Sequence, residues 1–260
     1  AEPKAGPRAG GRTPPAGPPD AELFGRLQAL RKDGLEVVIV MDSTGSMASV
    51  IGAAAGRSAS LVRRLAWLVP RFRAGLVTYD DQARLREPLT TDGEVLREAF
   101  RKVSAHGGGD WEEGVDKGIA LALVQDQVGW SRRAYHVIVV VGDAPPHAGD
   151  VTGLLRRIRR ARDDVLFEHP VTIHTVATTS AGVDHFGVIA RAGKGAYVTL
   201  ARVGRLEEEL VTLVFGPAWR DRVRPWLQEV ETLRGSRGRN PARRTEHGNR
   251  THRRGRQRGR

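Results

Sequence analysis

Asp42, Ser43, Thr44 and Ser46 follow directly on the apolar run Val37-Val38-Ile39-Val40-Met41, so one carboxylate and three hydroxyls crowd the end of a segment that favours burial. Such a cluster has three chemical uses: a nucleophile, a phosphate site or a metal site. A serine nucleophile at a strand end needs Gly-x-Ser-x-Gly, because both glycines relieve crowding at the sharp turn. Here Met41 precedes Asp42, and no such motif spans Ser43 or Ser46. Phosphotransfer through Asp42 calls for a second acid two residues on to protonate the leaving group. Thr44 stands there instead. The chain also lacks a Gly-x-x-x-x-Gly-Lys-Ser/Thr loop, and Gly193-Lys194-Gly195 is too short to replace one.

The metal reading uses the whole cluster. A hard divalent cation prefers oxygen ligands in near-octahedral array and retains some water. The Thr44 and Ser46 hydroxyls, two residues apart on one loop, can bind such an ion directly. Asp42 and the distant Asp143 supply charge, directly or through water, and the loop His106-Gly107-Gly108-Gly109-Asp110 can add a fifth oxygen. The same loop has the lettering of an esterase oxyanion loop, but there the nucleophile follows the glycines, whereas these hydroxyls precede them. Asp42 alone would also suit a helix N-cap.

Positioning those residues requires strands and helices in alternation. Leu35–Met41 and Tyr135–Val141 are continuous apolar runs, with Asp42 and Asp143 just past their ends. Val50, Ile51, Ala54, Leu61, Val62, Leu65, Leu68 and Val69 mark one face of a long helix that Pro70 stops. Further strands are expected at Ala74–Tyr79, Ala83–Pro88, Val171–Val176 and Ala196–Leu200. Helices are expected at Leu23–Leu30, Glu94–Val103, Glu112–Val124, around Val151–Ile158 and at Phe186–Ala192. A last amphipathic helix over Trp219–Leu233 carries Pro225 as a kink. The pattern predicts an α/β fold: a doubly wound, mostly parallel sheet with helices on both faces and one short antiparallel edge strand. Ligands of such sheets bind beyond the carboxyl ends of the strands, where the winding reverses.

Several other residues have plainer expected roles. Trp67 is expected in the core, His136 and His174 at sheet positions, and Asp80 and Asp81 in a hairpin turn. Trp111 and His147 flank the candidate loops.

The 260 residues suffice for one substantial domain with extensions. No cysteine is present, which excludes disulfides, thiolate catalysis and zinc-thiolate sites. No run is long enough for a transmembrane helix. The net charge of +12 is concentrated in residues 235–260, with ten Arg and one Glu. That segment and the Pro/Gly-rich residues 1–20 are expected to be disordered. The Arg-rich tail could bind polyanions weakly and without sequence preference, or merely reflect GC-rich codon usage. The chain begins at Ala1, which suits a mature protein after signal-peptide cleavage.

Asp42-x-Thr44-x-Ser46, the acid Asp110 after three glycines, and Asp143 in "VVVGDAPPH" together resemble a von Willebrand factor type A domain of bacterial type, over about Leu35 to Phe215. The resemblance implies a Rossmann-like fold and a metal-ion-dependent adhesion site formed by Asp42, Thr44, Ser46, Asp110 and Asp143. It implies Mg²⁺, with Mn²⁺ or Ca²⁺ as alternatives, and recognition of an Asp or Glu on a protein partner. It also implies a non-catalytic role and a secreted or periplasmic location, with the cytoplasm as alternative. Two positions depart from the family pattern. Thr44 replaces the usual Ser and keeps the hydroxyl, whereas Asp110 replaces the usual Thr and adds negative charge. That charge would hold a cation more tightly while weakening its pull on a partner's carboxylate. The other functions left open are a hydrolase or phosphotransferase using Asp42 or Ser43, and a scaffold with a structural metal whose Arg tail does the binding.

Overall fold

Leu35–Asp42 (β1) is buried at every position, which only a strand with a helical layer on each face can be. The computed structural model describes residues 21–106, 112–164, 167–179, 183–200 and 206–215. The expected leader, Arg-rich tail and Trp219–Leu233 helix lie outside these residues, as do Asp110 and Trp111.

The chain runs α1 (Ala21–Asp33), β1, a single 3-10 turn (Gly45–Met47), α2 (Ala48–Leu68), β2 (Phe72–Tyr79), β3 (Ala83–Thr90), α3 (Gly93–Arg101), α4 (Val115–Ala122) and α5 (Gln125–Val128). It continues with β4 (Tyr135–Gly142), α6 (Val151–Arg162), β5 (Thr172–Ala177), α7 (Val183–Ala192), β6 (Lys194–Thr199) and α8 (Leu206–Phe215). The sheet order is β3-β2-β1-β4-β5-β6. All pairs are parallel except β2 with β3, so the antiparallel edge strand lies where the sequence places it. Connections leave β1 toward β2 on one side and return to β4 on the other, so the winding reverses between β1 and β4.

Side chains alternate across β1. Val38 and Val40 join Val140, Ile119, Ile158, Phe186 and Ile189 in the layer beneath α4, α6 and α7. Ile39 faces the opposite layer, where it meets Leu61 of α2, Phe100 of α3 and Leu210 of α8. Glu36 is buried at the far end of β1, with Arg73 Nε 3.0 Å from Oε1 and Ser131 N 2.9 Å from Oε2. Arg73 Nη2 also donates to Oε1, so three donors share the two oxygens.

Three expectations need correction. Trp67 is 53% exposed, because it lies off the Leu61–Leu65–Leu68 face of α2. The helix expected from Glu112 begins at Val115, since Glu113 N is drawn to Pro145 O (3.0 Å) and Gly114 N to Asp80 O (3.0 Å). Leu206–Phe215, to which the sequence analysis gives no element, is a helix packed on α2. His136 and His174 are buried at sheet positions as expected. Among the described residues no helix is long and apolar enough to cross a membrane.

Candidate functional site

The parallel register sets Asp42 opposite Tyr79 and Met41 opposite Val141. Asp143 therefore begins the loop just beyond β4, at the reversal point of the sheet. Asp42 is fully buried and Asp143 is 9% exposed. Thr44 folds back on Asp42, donating to Oδ1 from both its backbone N (2.8 Å) and Oγ1 (2.7 Å). Ser46 Oγ, on an exposed residue, lies 3.3 Å from Thr44 Oγ1. Thr179 Oγ1 donates to Asp143 O (3.1 Å) and Thr178 N to Gly142 O (2.9 Å), which ties the Asp143 loop to the chain after β5. His106 N donates to Ser43 O (3.1 Å), so the approach to the glycine-rich loop is held against the same turn.

Asp42 Oδ2 is buried and has no hydrogen-bond partner among the described residues. Burial pushes the Asp42 pKa up to about 6; the two Thr44 donors pull against that shift, and the neighbouring Asp143 carboxyl adds to it. Tyr79 lies beneath this pair. Its ring crosses the face of β1, so that a Cβ on Gly142 would run into its hydroxyl, and one on Gly118 of α4 would meet its Cδ1 at 2.9 Å. Only glycine allows this close approach of strand end and helix to the ring. The hydroxyl is buried without a hydrogen-bond partner among the described residues, and burial together with Asp42, Asp143 and Glu113 pushes its pKa upward.

The structure thus brings Asp42, Thr44, Ser46 and Asp143 to one sheet end; Asp110 falls outside the described residues. Ser43 is committed elsewhere, with its buried Oγ donating to Tyr79 O (2.9 Å). His147 Nδ1 lies 3.4 Å from Glu112 Oε2 at the rim. Among the described residues no three His, Cys, Asp or Glu side chains gather as a metal cluster. The donor set is two carboxylates and two hydroxyls, all hard oxygens, and Asp42 Oδ2 has no partner among the described residues. That set fits a hard divalent cation and does not fit a soft one. Sequence reasoning missed Tyr79 and Glu113 around the site. An aromatic residue ending an apolar strand and an acid shortly after a glycine-rich loop carry no distinctive spacing.

The fold matches solved structures. The conserved hypothetical protein BatB from Bacteroides thetaiotaomicron superposes with a TM-score of 0.53 at 16% identity, covering 69% of this chain and 98% of that one. A von Willebrand factor type A protein from Catenulispora acidiphila superposes with a TM-score of 0.54 at 17% identity, covering 70% of this chain and 42% of that one. No curated protein sequence matches the chain. The model of the von Willebrand factor A domain matches residues 36–181, which hold β1 to β5 with Asp42, Thr44, Ser46 and Asp143. With more than half of its length matched, the chain belongs to the von Willebrand factor A domain family.

Proposed function

We propose that this domain is a metal-dependent protein-binding module. Asp42, Thr44, Ser46 and Asp143, with Asp110 from the glycine-rich loop, would hold a divalent cation, Mg²⁺ first and Mn²⁺ or Ca²⁺ as alternatives. Bound there, the ion would offset the paired negative charges and offer a ligand position to an Asp or Glu carboxylate of a protein partner. Von Willebrand factor A domains are modules often used in protein interaction, which supports the second half of the reading. The observation that carries the first half is Asp42 Oδ2, a buried carboxylate oxygen without a donor among the described residues, beside a second carboxylate. Two carboxylates held together in a buried site are costly unless a proton or a cation compensates them.

The same geometry weighs against a hydrolase or phosphotransferase, because Ser43 Oγ is buried and already donates to a carbonyl. A non-catalytic domain outside the cytoplasm is the setting this reading favours.

Calorimetric titration of Mg²⁺ and Mn²⁺ into chelator-treated protein tests the proposal. Wild type should give a saturable heat. Asp42→Ala and Asp143→Ala should lose more than the ten- to hundredfold in affinity that removal of an outer-shell partner costs, while Ser43→Ala should keep the wild-type curve. Equal heats from wild type and Asp42→Ala, or no heat from wild type, would overturn it.

A further inference from the structure

Tyr79 ends β2 beneath the acid pair, and its phenol carries a polar atom that the packing alone does not require. The ring is fully buried in the core cluster that holds Val40, Val115, Ile119 and Phe186. Phenylalanine would fill the same space without bringing an oxygen into it. Two glycines make room for the tyrosine. Gly142 must lack a Cβ for the hydroxyl to reach the end of β4, and Gly118 must lack one for the ring to pass under α4. A glycine inside a helix is less favourable than alanine, so the room at Gly118 is made at a cost in stability.

A tyrosine hydroxyl enclosed in this way normally finds a partner. This one has none among the described residues, and the same holds for Asp42 Oδ2. The two shortfalls are complementary, because the phenol is a donor without an acceptor and Oδ2 is an acceptor without a donor. The two side chains also lie together. Asp42 and Tyr79 are register partners on β1 and β2. A Cβ on Gly142 would touch both, at 3.3 Å from Asp42 Cβ and against the Tyr79 hydroxyl. Asp143 and Glu113 are the other charged groups that act on the phenol. The main chain of Tyr79 grips the loop after β1 as well, its carbonyl accepting from Ser43 N (2.7 Å) and Ser43 Oγ (2.9 Å).

We propose that Tyr79 is a positioning residue of the metal site: with the cation bound, its O–H donates to Asp42 Oδ2 and fixes the orientation of that carboxyl. The inference rests on the metal reading above and adds to it a residue outside the ligand set. Thr44 N (2.8 Å) and Oγ1 (2.7 Å) already hold Oδ1, so Oδ2 is the oxygen left to be fixed. Each carboxylate oxygen has about two lone-pair sites, so Oδ2 can accept from the phenol and still face an ion. The carboxyl torsion of aspartate is broad, and a turn toward the phenol meets little resistance. Carboxylates that ligate a metal are themselves held by hydrogen bonds, and loss of such a partner weakens binding about ten- to hundredfold.

Tyr79→Phe in the full chain tests the proposal through two measurements. In EDTA the urea midpoint of Tyr79→Phe should equal or exceed that of wild type, because only an unpaired buried hydroxyl is removed. In calorimetric titration of chelator-treated protein, Mg²⁺ should bind Tyr79→Phe about ten- to hundredfold more weakly than wild type. A hydroxyl that merely supports the fold would lower both together. Equal Mg²⁺ affinity overturns this proposal and leaves the metal reading standing. A lower urea midpoint in EDTA with weaker binding overturns it too, since the hydroxyl then serves the fold itself. No heat from wild type removes the metal reading and this proposal with it.

Discussion

Replacing Asp42 by Asn should stabilise the chelator-treated protein near neutral pH. The Asp42 carboxyl titrates at about 6 in the fold, raised from an ordinary 3.8. Each pH unit of difference corresponds to about 1.4 kcal/mol, so the buried charge opposes folding by about 3 kcal/mol once it is fully ionised. Below the ordinary value the group is protonated in both folded and unfolded chains, and nothing is lost. Between about pH 4 and pH 6 the folded protein keeps a proton that the unfolded chain releases, so stability falls as pH rises. Above the folded value the loss is complete. Asn keeps an oxygen for the Thr44 N and Oγ1 donors, and its amide nitrogen takes the place of Oδ2 beside Asp143. A donor then faces Asp143 where a like charge stood. Because the surroundings relax around any charge, about 3 kcal/mol is a ceiling and a gain of about 1–3 kcal/mol is expected. Urea unfolding in EDTA at about pH 7, 5.5 and 4 measures it; the gain should shrink toward zero at the lowest pH, and saturating Mg²⁺ should reverse the order of the two proteins. Equal or lower stability of Asp42→Asn in EDTA near pH 7, or a gain indifferent to pH, refutes the reasoning.

Two further substitutions probe the frame around the site. Glu36→Gln should cost about 2–4 kcal/mol in urea unfolding, because both Glu36 oxygens accept and an amide must turn a donor toward Arg73 or Ser131; a change below about 0.5 kcal/mol would contradict this. Gly142→Ala should destabilise by about 1–3 kcal/mol, since its methyl group meets the hydroxyl of a fully buried tyrosine that has nowhere to move. Thermal denaturation without loss of stability would show that Tyr79 has room.

Much of this fold is written locally. The unbroken apolar runs of β1 and β4, the i, i+3, i+4 face of α2 and the acids just past two strand ends gave the layers and the end of the sheet where Asp42 and Asp143 meet. Trp67 misled because size and apolarity suggest burial, while its angular position on α2 points it away from Leu65 and Leu68. The late start of α4 depends on Pro145 and Asp80, which are distant in sequence and invisible to any local pattern. Leu206–Phe215 carries no clear helical period, because three consecutive acids, Glu207, Glu208 and Glu209, separate Leu206 from Leu210 and Val211. The buried roles of Glu36 and His174 were equally hidden. A polar residue inside an apolar strand does not reveal its partner, and here Arg73 and Ala196 come from neighbouring strands.

Asp42 and Asp143 are joined by the pairing of β1 with β4, strands separated in the chain by β2, β3 and three or more helices. Chain closure over that distance is entropically unfavourable and belongs to the later part of assembly. The local elements between them can form while the two acids are still apart and hydrated. Electrostatic strain at the sheet end therefore weighs on the completed molecule and hardly at all on the route to it. Anything that relieves the strain, a proton or an ion, would lengthen the lifetime of the native state and leave the speed of its formation nearly unchanged.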